Sequence, residues 1–324
     1  MISVEKIFDI KSNKEFESIA LELFSHQYHN CTPYREYVDT IGISPQEVTC
    51  LEQIPALPIE VFKIRDVYCG TRPAQITFTS SGTSGMTPSR HMVSNVEIYE
   101  QSFLQGFESF YGPIEDIALY ALLPKYLERE GSSLIYMTDK LISRAADGGF
   151  FLNDYTKLIE RLTNSLRANR KTILLGVSFA LLDMAEQYSL SMPELIVMET
   201  GGMKGTRKEI ARDELHQKLC KGFGVEKIHS EYGMCEMLSQ GYSLGDQTFR
   251  LPPWARVITR KLDNPTRFEQ YGKMGGINII DLANIDSCSF IETQDMGILY
   301  EDNSFSVSGR IKGSVLRGCN MLIE

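Results

Sequence analysis

Residues 76–90 read ITFTSSGTSGMTPSR, a β-branched run leading into Ser80, Ser81, Gly82, Thr83 and Ser84. Glycines let a backbone approach an anion closely, and hydroxyls with exposed N–H groups donate to phosphate oxygens without needing net positive charge. The composition is that of a phosphate loop. It is not a Walker A motif, since no Gly-Lys-Ser/Thr closes it, nor the G-x-G-x-x-G of a dinucleotide fold. Taken alone, such a stretch equally describes a flexible surface loop. SEYGMCE (230–236) places Glu236 after a short strand and a Gly turn, where a carboxylate can hold Mg²⁺ against nucleotide phosphates or simply be solvated. IETQDMG (291–297) places Asp295 in a turn after a strand, suited to accept hydrogen bonds from ribose hydroxyls or to serve the turn itself. SGRIKGSVLRGCN (308–320) sets Arg310, Lys312 and Arg317 near Cys319. Cationic neighbours favour thiolate over thiol, so Cys319 suits acyl transfer, the alternative being an unreactive packed thiol. His26, His29 and Cys31 are the nearest approach to a metal cluster, and are read as a helix surface or packing seam because a site needs more ligands.

The elements that must position these residues follow from periodicity. Residues 1–30 read as helices, with Ile7, Phe16, Ile19, Leu23 and Phe24 at mostly helical spacing. Pro33, Pro45, Pro55 and Pro58 break the connection that follows. The middle of the chain alternates: a strand over 116–124, a helix over 151–169, a strand over 171–177 with a helix after it, a strand over 194–200, a Gly-Gly turn (201–202), a charged helix over 206–224 and a strand over 225–231. Repeated strand–helix–strand units predict an α/β fold with mostly parallel, helix-covered sheets. From Arg256 the pattern turns to short β segments with Gly and Asp turns, predicting a small antiparallel β subdomain. The expected division is therefore 1–255, a helical N-terminus and α/β core, and 256–324, a β subdomain with a mobile tail.

Charge and cysteine usage narrow the function classes. Acidic residues outnumber basic ones for a net charge of −9, which disfavours sequence-blind nucleic-acid binding and requires any anionic ligand to be held by local groups. The longest apolar stretch, 172–184, contains Ser178 and Asp183 and is shorter than the roughly 20 residues of a membrane helix. The start of the chain mixes acids and bases and does not read as a secretory signal. Seven cysteines, with no C-x-x-C pair, disfavour a disulfide framework and predict a reducing, cytoplasmic setting.

The order of the pieces is more specific than any one of them. The phosphate loop, the Gly-Gly turn, Y-G-x-x-E, T-x-D and G-R-x-K occur in the order and approximate separation of the adenylate-forming superfamily of acyl and aryl ligases. Over roughly residues 50–324 the chain resembles its acyl-protein synthetases, the LuxE-type long-chain-fatty-acid-protein ligases. The segments IPALPIEVFK (54–63), TSSGTSGM (79–86) and LPKYLEREGSSLIYM (123–137) and the terminal Arg317-Gly318-Cys319 carry the resemblance. It implies the large N-terminal domain of such an enzyme, with ATP and Mg²⁺ as cofactors. Ser80, Ser81, Gly82, Thr83 and Ser84 would line the ATP phosphates, Gly201 and Gly202 would lie against adenine, and Tyr232 would stack near it. Glu236 would bind Mg²⁺, Asp295 would hold the ribose, and Arg310 would contact ribose or phosphate. The implied reaction converts a carboxylic acid, in the family a fatty acid, to acyl-AMP; the acyl group passes to Cys319 and on to a partner protein, in the family a reductase. Three positions depart from the wider pattern: Cys235 replaces a Thr, Gln294 replaces a Gly, and Pro88-Ser89-Arg90 stands where Pro-Lys is usual. Arg310 to Glu324 spans only 15 residues, too few for the lid domain that brings a catalytic lysine in most of the superfamily. An internal base such as Lys204 or Lys125, or a partner, is expected in its place. Transfer to coenzyme A, and a degenerate nucleotide-binding protein without catalysis, are the alternative readings. Phe103, Phe107, Phe110, Tyr111 and Met234 are candidates for an acyl pocket, or plain core.

Overall fold

The computed structural model describes residues 3–80, 87–123, 131–201, 210–264 and 267–311. The chain opens with α1 (Val4–Phe8), α2 (Asn13–Asn30) and α3 (Thr32–Thr40). The Ser12 hydroxyl caps α2 by accepting the Glu15 amide at 3.2 Å, satisfying a donor that the helix leaves unpaired. After a proline-broken connection come β1 (Leu57–Pro58), α4 (Val61–Ile64), and a hairpin of β2 (Ile76–Thr79) and β3 (Arg90–Val93). Then follow α5 (Val96–Tyr111), β4 (Ile117–Leu122), α6 (Ser133–Arg144), β5 (Asp147–Phe151), α7 (Tyr155–Arg167), β6 (Lys171–Val177), α8 (Ser178–Gln187), β7 (Ile196–Thr200), α9 (Arg212–Phe223), β8 (His229–Tyr232) and β9 (Gly241–Ser243). Last are β10 (Ala255–Arg260), β11 (Met274–Asp281), β12 (Phe290–Leu299) and β13 (Phe305–Arg310).

The strands of the α/β half form one sheet in the order β5-β4-β6-β7-β8-β9, parallel except for β9. Every residue of β4 and all but the first of β6 are buried, as strands covered on both faces require. Side-chain alternation splits these strands between two cores. Leu119, Ile173, Leu175 and Met198 join the core built from α2, α5 and α6, while Ala118, Tyr120, Leu174 and Val197 join that of α7, α8 and α9. The strand expected over 171–177 is present with those bounds, those over 116–124 and 194–200 are present but shorter, and that over 225–231 begins only at His229 and ends at Tyr232. The edge strand β5 has no clear sequence signal because it reads DGGFF. Its Gly148 passes so close to the Leu119 carbonyl that a Cβ there would collide with it.

The antiparallel sheet runs β1-β12-β11-β10, with β13 on the other side of β12 and β1 joining in parallel. It is fastened to the N-terminal helices by Gln27, fully buried on α2. Its amide donates to the Asn284 and Ile285 carbonyls at 2.9 and 3.0 Å, and its oxygen accepts the Ser289 amide at 2.9 Å. Among the described residues no helix is long and apolar enough to cross a membrane.

Candidate active site

In an open α/β sheet, ligands sit beyond the carboxyl ends of the strands. There β7 ends at Gly201, whose φ of +66° lies in the left-handed region, and β8 ends at Tyr232. The Ser178 hydroxyl at the start of α8 holds the Gly201 carbonyl at 2.7 Å. Ser80 follows β2 directly, and its hydroxyl accepts the Ser89 amide at 2.8 Å, closing the two ends of the hydroxyl-rich loop over the β2–β3 hairpin. The loop's Ser81, Gly82, Thr83 and Ser84 lie outside the described residues, as do Gly202, Lys125, Lys204 and Cys319. Arg90, which replaces the usual lysine, begins β3 and is paired with Asp66 at 2.7 Å.

Glu236 sits in the turn after β8 and, at 3% exposure, is buried rather than solvated. The turn is pinned from three directions. His91 on β3 lies 2.8 Å from the Cys235 carbonyl and 2.9 Å from Asn284 Oδ1; burial holds its imidazole below the usual range. Asn284 Nδ2 donates to the Glu236 carbonyl at 2.8 Å. Asp281, fully buried at the end of β11, accepts the Leu238 and Ser239 amides at 2.8 and 2.9 Å and the Ser239 hydroxyl at 2.6 Å. Thus the hairpin bearing the hydroxyl loop and the turn bearing Glu236 are bonded to each other through His91 and Asn284. On this turn, fixed through its backbone, one carboxylate fits a Mg²⁺ site, because that ion usually takes one or two protein carboxylates and keeps waters and phosphates as its other ligands.

Three of the expected residues come together. Tyr232 Oη donates to Asp295 Oδ2 at 2.9 Å, and Arg310 Nε faces Asp295 Oδ1 at 3.5 Å across the β12–β13 pairing. The expectation that Asp295 occupies a turn is corrected: it lies within β12, beside a register shift at Met296/Gly297. The strand continues because Gly297 fits where a Cβ would strike the Ser306 carbonyl, so the carboxylate is carried on a bulged strand instead of a loop. The aromatic candidates for an acyl pocket divide: Phe103, Phe107 and Tyr111 of α5 are buried core, while Phe110 and Met234 are half-buried.

The sequence reading missed two acids on adjacent strands. Glu199 on β7 is buried next to the Ser178 hydroxyl at 2.8 Å, with His216 Nε2 at 3.7 Å and Arg212 Nε at 3.9 Å. Burial works to raise its carboxyl, but these neighbours outweigh it and hold the group below the usual range. Glu231 on β8 accepts the Thr200 hydroxyl and faces Tyr99, Tyr111 and Tyr242; burial pushes its carboxyl up to about 7. Nothing but position next to Tyr232 could have marked it. His91, Asn284 and Asp281 likewise carry no local signal, since their partners are remote in sequence.

No protein-family model matches the chain. A stretch of 71 residues, 22% of this chain, is 32% identical to the long-chain-fatty-acid–luciferin-component ligase of Photorhabdus luminescens and spans 60% of that relative. Among solved structures, 2-hydroxyisobutyryl-CoA ligase in an open conformation with 2-HIB-AMP and CoA superposes with a TM-score of 0.70 at 12% identity, over 94% of this chain and 71% of that one. ATP-bound MatB from Rhodopseudomonas palustris superposes with a TM-score of 0.56 at 15% identity, over 78% and 50% of the two chains. The chain therefore shares its mixed α/β fold, with parallel and antiparallel sheets, with 71% of the 2-hydroxyisobutyryl-CoA ligase chain and half of the MatB chain, as the expected fold class required.

Proposed function

We propose that this chain joins a carboxylic acid to AMP. A carboxylate oxygen attacks the α-phosphorus of ATP, the bond to the β-phosphate oxygen breaks, and acyl-AMP and pyrophosphate result. The observation that carries the reading is the meeting of Tyr232, at the carboxyl end of β8, with Asp295 and Arg310 of the antiparallel sheet, together with the hydroxyl-loop hairpin bonded to the Glu236 turn through His91. In this reading Ser80 with Ser81, Gly82, Thr83 and Ser84 lines the phosphates, Gly201 and Gly202 lie against the base, and Asp295 holds the ribose while Arg310 contacts ribose or phosphate. Glu236 would hold Mg²⁺, which when bound neutralises phosphate charge. The work of the chain is positioning and electrostatic stabilisation. Identity to the luciferin-component ligase supports a fatty acid as substrate. The Cys319 thiolate then attacks the acyl carbon, expelling AMP, and the thioester passes to a partner protein such as an acyl-protein reductase. Lys204 is the internal cation proposed to face the reacting carboxylate.

ATP–pyrophosphate exchange over saturated acids of graded length tests the first step. Exchange is expected with at least one acid and to fall about 100-fold in Glu236→Gln, the scale of losing one transition-state stabiliser. Cys319→Ser should keep the exchange and lose covalent labelling by radioactive acid. No exchange with any acid, despite tight ATP binding, would leave a nucleotide-binding protein. The superposition on a CoA-bound ligase favours one second reading, transfer to coenzyme A. In that case AMP release depends on coenzyme A and survives Cys319→Ser.

A further inference from the structure

Away from the strand ends, His26 towards the C-terminal end of α2, Cys69 ahead of β2 and Asp286 in the loop from β11 to β12 converge: one donor atom of each lies within 4.8 Å of the others. Cys69 is buried and its companions are half-buried. The Cys69 thiol is oriented by the Ile285 and Ser287 carbonyls, each accepting from Sγ at 3.5 Å. Arg65 is paired with Glu36 at 2.8 Å and Arg90 with Asp66 at 2.7 Å. The surrounding frame is fixed. Gln27, next to His26, bonds the same loop at Asn284, Ile285 and Ser289, the Ser94 hydroxyl donates to Asp286, and Asn30 Nδ2 lies 3.3 Å from His26 Nδ1.

We propose that His26, Cys69 and Asp286 form a site for a borderline-soft divalent cation of the Zn²⁺ class, its fourth position open to solvent. Imidazole and thiolate select such ions over Mg²⁺ or Ca²⁺, which prefer oxygen alone. Bonds of about 2.0–2.3 Å in a tetrahedron set donors roughly 3.3–3.8 Å apart, so binding draws the three in by about 1 Å or a little more, within reach of torsions at the half-buried His26 and Asp286. On binding, the Cys69 S–H bond breaks, its proton leaves to solvent and a sulfur–metal bond forms, with no change of oxidation state. Thiolate, carboxylate and neutral imidazole balance the dication, which suits a site partly removed from water. The metal would tie α2, the approach to the hydroxyl-loop hairpin and the β11–β12 loop to one another. The site is independent of the proposed adenylation, and its test uses no nucleotide.

The test titrates the full chain, first stripped with a chelator, with Co²⁺ as probe. One equivalent is expected to bind, with a thiolate-to-cobalt charge-transfer band in the near ultraviolet and visible bands of a tetrahedral centre, both abolished by Zn²⁺. Cys69→Ser should remove the charge-transfer band, and His26→Gln should weaken Co²⁺ binding at least tenfold. Cys31→Ser and Cys288→Ser, altering other buried thiols, should leave the band in place. Absence of saturable Co²⁺ binding, or a band unchanged in Cys69→Ser, overturns the proposal. Should Cys69→Ser fail to fold, His26→Gln decides, and an unaltered Co²⁺ affinity there overturns it equally.

Discussion

Glu199 and Glu231 stand on neighbouring strands, one register step apart, since Glu199 pairs with Ser230 and Thr200 with Glu231. Alternation along the strands sends them to opposite faces of the sheet. On one face Arg212, His216 and the Ser178 hydroxyl surround the carboxyl; on the other a threonine hydroxyl and three tyrosines do. Both groups are desolvated, yet one is held below the usual carboxyl range and the other rises to about 7. Compensation, and not burial alone, decides the charge. The compensated acid is a fixed part of the frame. The uncompensated one, directly before Tyr232, changes charge near neutrality, so one sheet carries two carboxyls whose surroundings push them in opposite directions.

The comparison breaks most sharply at Glu199. Glu199→Leu leaves the Arg212 guanidinium facing a buried apolar side chain, and a pair broken at one partner costs about 3 kcal/mol. Urea denaturation at pH 7 should show a loss of that size, and one below about 1 kcal/mol would mean that the anion is not compensated as described. Because the folded-state carboxyl is held low, its contribution is present above about pH 4.5 and is lost as pH falls through the lowered value.

Glu231 has the opposite sign. Its folded form keeps a proton between about 4.5 and about 7 that the unfolded chain releases, so stability declines as pH rises through that window and levels off above it. The decline is about 3 kcal/mol, the scale of holding a carboxyl near 7 instead of 4.5. Glu231→Gln removes the titrating group, so the variant should gain on the wild type from pH 5 to about pH 7 and hold that gain at pH 8 in urea melts. Parallel curves for the two proteins would show that the tyrosine-lined face does not hold a neutral acid.

The alternating half of the fold was legible because its strands are long apolar runs separated by amphipathic helices: IALYAL and TILLGV admit little else. The sequence order of Ser80, Gly201, Tyr232, Glu236, Asp295 and Arg310 was also legible, since local turns and strand ends announce them. What positions them was not. His91 meets Asn284 across 193 residues, and Asp281 meets Leu238 across 43, so neither pairing leaves a local pattern. His26 illustrates the same gap. Its sequence neighbour His29 turns to the Ser25 carbonyl, while its companions Cys69 and Asp286 come from distant loops. Asp295 was misplaced into a turn because a bulged strand with Gly297 has the composition of a loop.

The smallest expected effect separates positioning from charge at the Tyr232–Asp295–Arg310 group. The Tyr232 hydrogen bond at 2.9 Å is partly buried, and burial of the ring holds the phenol protonated far above neutrality, so it donates across the working pH range. Tyr232→Phe removes one donor from a charged acceptor and should cost about 1–2 kcal/mol. The Arg310 contact is 3.5 Å long and its side chain is 59% exposed, so Arg310→Met should cost no more than about 0.5 kcal/mol. The order reverses for nucleotide affinity if Arg310 reaches ribose or phosphate, because an exposed guanidinium contributes little to folding but is free to turn toward an anion. Measuring both variants for stability by urea melts and for ATP affinity by calorimetry distinguishes the roles. Equal losses in both assays for both residues would make the three a packing cluster, with Asp295 held for the strand and not for a ligand.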